Sequence, residues 1–159
     1  MRTPAERFPG GKRIDSGAET PSHYASDVTR TIPVNGTFSS RQRAIYEAVL
    51  RAQMGAIAAV KPGVPLEELD RTARKLITDA GYGDAFLHRV GHGLGLEVHE
   101  EPYLVEGNEL PLAPGMVFSD EPGIYLEGRF GVRIEDTVVC TEDGGERLNH
   151  ATRDLTVMD

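Results

Sequence analysis

Between Ser39 and Gly81 the sequence carries two apolar stripes of helical period in succession, and on either side of them the pattern changes to that of short strands. Ser39 followed three positions later by Gln42 forms a capping box, and Ile45, Val49, Ala52 and Ala56 recur on one helical stripe. A helix over about residues 40–59 is predicted. Lys61-Pro62-Gly63 breaks it, and Leu66, Leu69, Ala73, Leu76, Ile77 and Ala80 mark a second amphipathic helix stopped at Gly81. Each helix has an apolar face to bury, so both are expected to lie on a sheet.

The strands of that sheet must come from the flanks. Residues 12–18 and 24–34 read as a hairpin, because Thr20-Pro21-Ser22 is turn chemistry and β-branched residues fill the second arm. After Gly81, strand patterns run over 116–125, 132–141 and 146–149, with Asp143-Gly144-Gly145 as the last hairpin turn. The fold class expected is α+β, a mainly antiparallel sheet with helices covering one face. From Met1 to Gly11 the chain is polar, with Pro4, Pro9, Gly10 and Gly11 and no apolar period, and reads as a flexible N-terminal arm (1–11) ahead of one domain (12–159). A length of 159 residues suits one core.

Charge and cysteine content narrow the function. A formal net charge of -8 argues against nucleic acid as a partner, since phosphate binding needs clustered Lys and Arg. No apolar run approaches the roughly 20 residues that span a bilayer, and no hydrophobic signal core is seen, so a cytoplasmic protein with no membrane partner is expected. Cys140 is the sole cysteine, which rules out an internal disulfide and a thiolate zinc cage and leaves it as a small buried hydrophobe. Any metal must then be held by oxygen and imidazole.

Asp15 and Asp27 lie on the two arms of the predicted hairpin and can project from one sheet face. Taken singly, each is explained as a turn cap or a solvated acid. The run from His88 to Glu100 holds His88, His92 and His99 among Gly91, Gly93 and Gly95; glycines let backbone approach a ligand, and imidazole binds borderline metals and exchanges protons near neutrality. Glu121 ends an apolar strand at Pro122-Gly123, and strand alternation puts Arg133 and Glu135 on one face, where a surface ion pair is the simpler reading. Together, Asp15, Asp27, His92, Glu121 and Glu135 suit two divalent ions such as Mn²⁺, Co²⁺ or Zn²⁺, set roughly 3.5–4 Å apart by bridging carboxylates and poised for hydrolysis.

These segments resemble the pita-bread metallopeptidases, especially Xaa-Pro dipeptidases (prolidases) and Xaa-Pro aminopeptidases, from about Ile14 to Asp154. The resemblance rests on Asp15-Ser16-Gly17-Ala18-Glu19, on Ser26-Asp27-Val28-Thr29-Arg30-Thr31 with Pro33-Val34-Asn35-Gly36, on Gly91-His92-Gly93-Leu94-Gly95-Leu96-Glu97-Val98-His99-Glu100, on Glu121-Pro122-Gly123-Ile124-Tyr125 and on Arg133-Ile134-Glu135-Asp136. It implies a curved, mainly antiparallel pita-bread sheet and a homodimer. It implies two metal ions, Mn²⁺ foremost, with Asp15 on one, Asp27 and Glu135 bridging, and His92 and Glu121 on the other. Glu121 would exchange protons with the bridging water, His88 and His99 would bind substrate and stabilise the tetrahedral intermediate, and Arg133 would position substrate or orient the carboxylates. Cleavage before proline in dipeptides or short peptides follows as the expected activity.

The resemblance also implies helix, strand and another active-site histidine ahead of the first Asp, where this sequence has fourteen residues. A domain incomplete at its N-terminus is therefore expected. The alternative to a working enzyme is a truncated, catalytically impaired relative that serves as a binding or assembly module.

Overall fold

The computed structural model describes residues 11–34 and 38–155. The expected arm thus lies outside the described residues except for Gly11, which already belongs to the first strand, and Asn35-Gly36 of the proline-containing motif lies outside them as well.

Strands β1 (Gly11–Ser16) and β2 (Val28–Pro33) pair antiparallel, with Asp15 opposite Thr29. The predicted turn is where it was placed: the His23 N–H donates to the Thr20 carbonyl at 2.8 Å. The hairpin is less regular than expected, because the ladder stops at Ser16 and Val28 and resumes only as a lone bridge between Glu19 and Ala25. At the interruption the two backbones crowd together, and a Cβ on Gly17 would lie 2.3 Å from the Ser26 carbonyl oxygen.

Helix α1 (Ser40–Ala59) follows with the bounds the sequence predicts, and its capping box is formed: Ser39 Oγ accepts the Gln42 N–H at 3.3 Å while the Ser39 N–H donates to Gln42 Oε1 at 2.9 Å. Such a cap is worth about 1 kcal/mol. Helix α2 (Leu66–Asp79) has Glu67 and Glu68 in its first turn, where the helix dipole favours negative charge. The two helices pack on each other, and the predicted stripes, from Ile45 to Ala56 and from Leu66 to Ile77, join one core with Phe118, Ile124, Val132 and Val138. Burying each large aliphatic side chain stabilises by roughly 1.5–3 kcal/mol.

The remaining strands are β3 (Gly91–Gly93), β4 (Glu100–Leu104), β5 (Val117–Asp120), β6 (Gly123–Leu126), β7 (Phe130–Arg133), β8 (Asp136–Thr141) and β9 (Gly144–Arg147). Five of them form a sheet in the order β4-β3-β5-β8-β9, β6 and β7 form a separate ladder, and every pairing is antiparallel. The fold is α+β, as expected, but the single sheet divides into three pieces. The predicted strand 116–125 breaks at Glu121-Pro122 and the predicted strand 132–141 breaks at Ile134-Glu135, because at these points the chain crosses from the five-stranded sheet to the β6–β7 ladder and back. Pro122 lacks the N–H that a continuous ladder would need. The last hairpin turn is Glu142-Asp143 rather than Asp143-Gly144-Gly145; Thr141 Oγ1 closes it by accepting from the Asp143 N–H and donating to the Gly144 carbonyl. β3 and β4 had no strand pattern, since Gly91-His92-Gly93 contains no apolar side chain and Glu100-Glu101-Pro102 reads as a loop.

One polar chain ties α2 to the sheet. Buried Asp70 accepts the Val90 N–H at 2.9 Å, and the Val90 carbonyl in turn accepts the Glu121 N–H at 2.8 Å. Arg74, paired with Asp70 at 3.0 Å, donates to the carbonyls of Phe86 and His88, each at 3.0 Å. The segment approaching His92 is thereby fixed from the helix side.

Candidate metal centre

The five predicted ligands come from four places in the fold. Asp15 and Asp27 sit at the open end of the β1–β2 ladder; Asp15 faces Thr29 directly, and Asp27, two residues before Thr29, is its diagonal neighbour on the same face. His92 is the middle residue of β3, between Tyr103 of β4 and the Gly93–Phe118 pairing to β5. Its flanking glycine is required by close approach, since a Cβ on Gly91 would fall 1.9 Å from the Ser119 carbonyl oxygen. Glu121 and Glu135 occupy the two crossings between sheets, so the same irregularity that interrupts the strands turns both carboxylates into the gap.

These side chains converge. Ligand atoms of Asp15, Asp27 and Glu135 lie within 4.8 Å of one another, as do those of His92, Glu121 and Glu135, and those of Asp27, His92 and His99. His92 Nε2 is 3.3 Å from Glu121 Oε1 and 3.8 Å from Asp27 Oδ2. Its other nitrogen, Nδ1, donates to the Gly93 carbonyl at 3.0 Å, which leaves Nε2 to face the carboxylates. All five, together with His99 and Arg133, line a cleft of about 580 Å³ whose rim carries Leu96 and Val98. A second cleft of about 630 Å³, between the end of α1 and the β8–β9 hairpin, holds none of the donor clusters found among the described residues.

The electrostatics describe a site short of positive charge. Asp27 is 8% exposed, and burial and then the neighbouring Asp15 raise its pKa. Glu135 is 1% exposed, and burial with the facing Glu121 pushes its pKa up to about 8. The solvated reading of Asp27 and the surface ion-pair reading of Glu135 are therefore both overturned. For Glu121, burial acts upward but is outweighed by the hydrogen bond with His92 and the charge of Arg133, so its pKa is lowered. For His92, burial acts downward but is outweighed by the same bond to Glu121, and its pKa is raised. Arg133 is the cation on hand: it pairs with Asp15, reaches Glu121 Oε2 at 3.5 Å and Glu135 Oε2 at 3.8 Å. One guanidinium against four carboxylates leaves like charges buried together, a cost that divalent cations would remove. The oxygen and imidazole donors, their spacing and this unbalanced charge fit hard or borderline divalent ions.

His99 lines the cleft, its ring centroid 4.3 Å from that of His92. His88 is not among the residues lining the cleft. Its Nδ1 donates to the Arg89 carbonyl at 2.7 Å, its Nε2 lies 3.1 Å from the Tyr125 hydroxyl, and burial lowers its pKa. Several participants carried no signal that distinguished them in sequence. Thr29 Oγ1 donates to Glu135 Oε2 and accepts from Arg133 Nε at 3.1 Å, while Ser119 Oγ accepts the His92 N–H at 3.1 Å and lies 3.3 Å from Glu121 Oε1. Thr29 alone was within reach of an alternation argument, two residues from Asp27 on one strand face. Asp120, 1% exposed, has no hydrogen-bond partner among the described residues for either carboxylate oxygen; burial and then Asp136 hold its pKa well above the usual carboxylate range.

The chain is similar to known metallopeptidases in sequence and in fold. The sequence profile of metallopeptidase family M24 matches residues 13–142. A Xaa-Pro dipeptidase of Lactobacillus helveticus is 54% identical over 135 residues, covering 85% of this chain and 36% of its own length. The crystal structure of a dipeptidase from Pyrococcus horikoshii OT3 superposes with a TM-score of 0.89 at 47% identity, covering 93% of this chain and 41% of that one. An X-Pro aminopeptidase from Thermotoga maritima superposes equally well, with a TM-score of 0.89 at 43% identity over 95% of this chain and 42% of that one. The chain thus spans well under half the length of the relatives it matches.

Proposed function

The chain belongs to metallopeptidase family M24, and on that premise we propose that its cleft holds two divalent cations and hydrolyses the bond before proline in Xaa-Pro dipeptides. The observation that carries the reading is the overlap of the donor triplets. Glu135 belongs both to the set with Asp15 and Asp27 and to the set with His92 and Glu121, as two neighbouring cations sharing a carboxylate would require. Mn²⁺ is the ion proposed first, with Co²⁺ and Zn²⁺ as substitutes for the same donors. Cations held by Asp15, Asp27, His92, Glu121 and Glu135 would supply Lewis acidity and lower the pKa of bound water.

The chain's own groups supply the rest. Glu121, held ionised by His92 and Arg133, is the proton acceptor for an attacking water. His99, at the cleft wall beside His92, is placed to donate a hydrogen bond to the oxygen of the scissile carbonyl. Arg133 fixes Asp15, Glu121 and Glu135 relative to one another. Leu96 and Val98 offer apolar contact at the rim for a pyrrolidine ring. His88, hydrogen-bonded to the Tyr125 hydroxyl, does not line the cleft and has no direct part in this reading.

The test is metal analysis of the dialysed chain followed by assay of the Mn²⁺-loaded protein on a Xaa-Pro dipeptide and a Xaa-Pro tripeptide. Two ions per chain and faster cleavage of the dipeptide are expected. Faster cleavage of the tripeptide would move the assignment to an aminopeptidase. Two ions without cleavage of either would favour the alternative, a metal-binding but catalytically impaired module, and no bound ion in a folded chain would overturn the metal-centre reading.

A further inference from the structure

Beneath the cleft, on the far side of β2 from the metal ligands, lies a guanidinium with every donor engaged. Arg30 Nε donates to the Thr152 carbonyl at 2.6 Å. Nη1 donates to the carbonyls of Thr29 at 2.8 Å and Glu135 at 2.6 Å, and Nη2 to Asp136 Oδ1 at 2.6 Å and the Ala151 carbonyl at 2.8 Å. An arginine side chain has five N–H groups, and all five are used. Only 14% of the side chain is exposed, and that of Asp136 is fully buried.

Two of these acceptors are the backbone carbonyls of Glu135 and of Thr29, the residue whose hydroxyl bonds the Glu135 carboxylate. The Glu135 N–H also donates to the Thr29 carbonyl, at 3.0 Å. Peptide groups on both sides of the Glu135 side chain are therefore tied to β2, through Arg30 and through Thr29. The other oxygen of Asp136 is held by Gln53 Nε2 at 2.7 Å and Arg147 Nη1 at 3.3 Å, and Gln53 Oε1 accepts from Arg153 at 3.0 Å. The segment after β9 is thus fastened to the same carboxylate that fastens Arg30.

We propose that Arg30 is a positioning residue for Glu135, clamping it to β2 and to residues 151–152 so that its carboxylate can serve both cation positions. This rests on the two-cation reading above. A lysine, with three donors on a point charge, cannot span carbonyls on three separate segments and a carboxylate at once. Partners that orient a metal ligand typically contribute about 10- to 100-fold to metal affinity.

The experiment titrates the metal-free full chain with Co²⁺ and follows its visible absorption, comparing wild type with Arg30→Lys, Arg30→Gln and Arg147→Gln, with thermal melts of each metal-free protein alongside. In both Arg30 variants Co²⁺ binding is expected to weaken about 10- to 100-fold with a changed absorption envelope. Arg147→Gln removes a cation from Asp136 without touching Glu135 and should bind within about twofold of wild type, as a contact outside the clamp. Should Arg30→Gln fail to fold, Arg30→Lys, which keeps the charge beside Asp136, carries the comparison. Wild-type affinity and absorption in Arg30→Lys, even with a lowered melting temperature, would reduce Arg30 to a structural role and overturn the proposal. Equal weakening in Arg147→Gln would overturn it too, by assigning the effect to the charge on Asp136. A wild-type chain that takes up no Co²⁺ would instead overturn the metal-centre reading itself.

Discussion

Asp15 reaches the cleft from an open ladder with 43% of its side chain exposed, whereas Glu135 reaches it from a sheet crossing with 1% exposed. Arg133 is Asp15's side-chain partner. Glu135 is held by Thr29 at its carboxylate and N–H and by Arg30 at its carbonyl. The difference separates two ways of building a cation site. On the buried side, geometry is fixed by backbone contacts and the cost of charge is high; on the exposed side, water shares the charge and the ligand is held by its pairing with Arg133. The two sides should therefore respond differently to loss of a carboxylate, of metal or of protons.

The largest effect is expected deep in the cleft. Glu121→Gln keeps the volume but removes the proposed proton acceptor, and kcat on a Xaa-Pro dipeptide should fall by about 10²- to 10⁴-fold, the range of general acid–base catalysis. Circular dichroism should stay unchanged, and a rate near wild type would remove Glu121 from the mechanism.

Next is the pH response of the metal-free protein, set by the buried side. The pKa of Glu135 is raised in the fold to about 8 from an ordinary 4.5, so its contribution to stability is complete below about pH 4.5 and is lost as pH rises through 8. The melting temperature in a chelator should fall across that window, by roughly 10–20 °C for a shift of this size in a domain of this length. Asp27 and Asp120, shifted in the same direction, add to the decline. Glu135→Gln should remove part of it, and metal loading should relieve the shares of Glu135 and Asp27. A pH slope identical in Glu135→Gln and wild type would show that Glu135 does not carry the charge cost assigned to it.

The smallest effect belongs to the exposed side. Asp15→Asn keeps an oxygen ligand and leaves the His92–Glu121 half intact, so calorimetry should find one of the two proposed cation sites weakened by about 10-fold, the order of one partly solvated charge interaction, and the other unchanged. Equal loss at both sites would mean that the two halves are not separable.

Much of this was legible from local pattern. α1 carries its own cap and stripe, so its bounds coincide with the prediction, and the donor set was visible as Asp, His and Glu in glycine-bearing or strand-ending contexts. The strands were harder. Residues 116–125 and 132–141 each look continuous because apolar patterning does not record which sheet a strand joins, and β3 was invisible because its pairing depends on absent side chains at Gly91 and Gly93. His88 shares its motif with His92 and His99 yet hydrogen-bonds to Tyr125, a partner 37 positions away that no local pattern names.

By itself the sequence determined the two helices, the turn at Thr20–His23 and the chemical kind of donor available, because these depend on neighbours within one turn of chain or on residue type alone. Only the tertiary structure decided which carboxylates meet and which residues hold them. Thr29 and Glu135 stand 106 positions apart, Arg30 and Ala151 stand 121 apart, and both contacts accompany a chain that changes sheets once on each side of the β6–β7 ladder. Those crossings turn Glu121 and Glu135 inward and expose the Glu135 carbonyl to Arg30, a consequence of long-range packing to which local periodicity is blind.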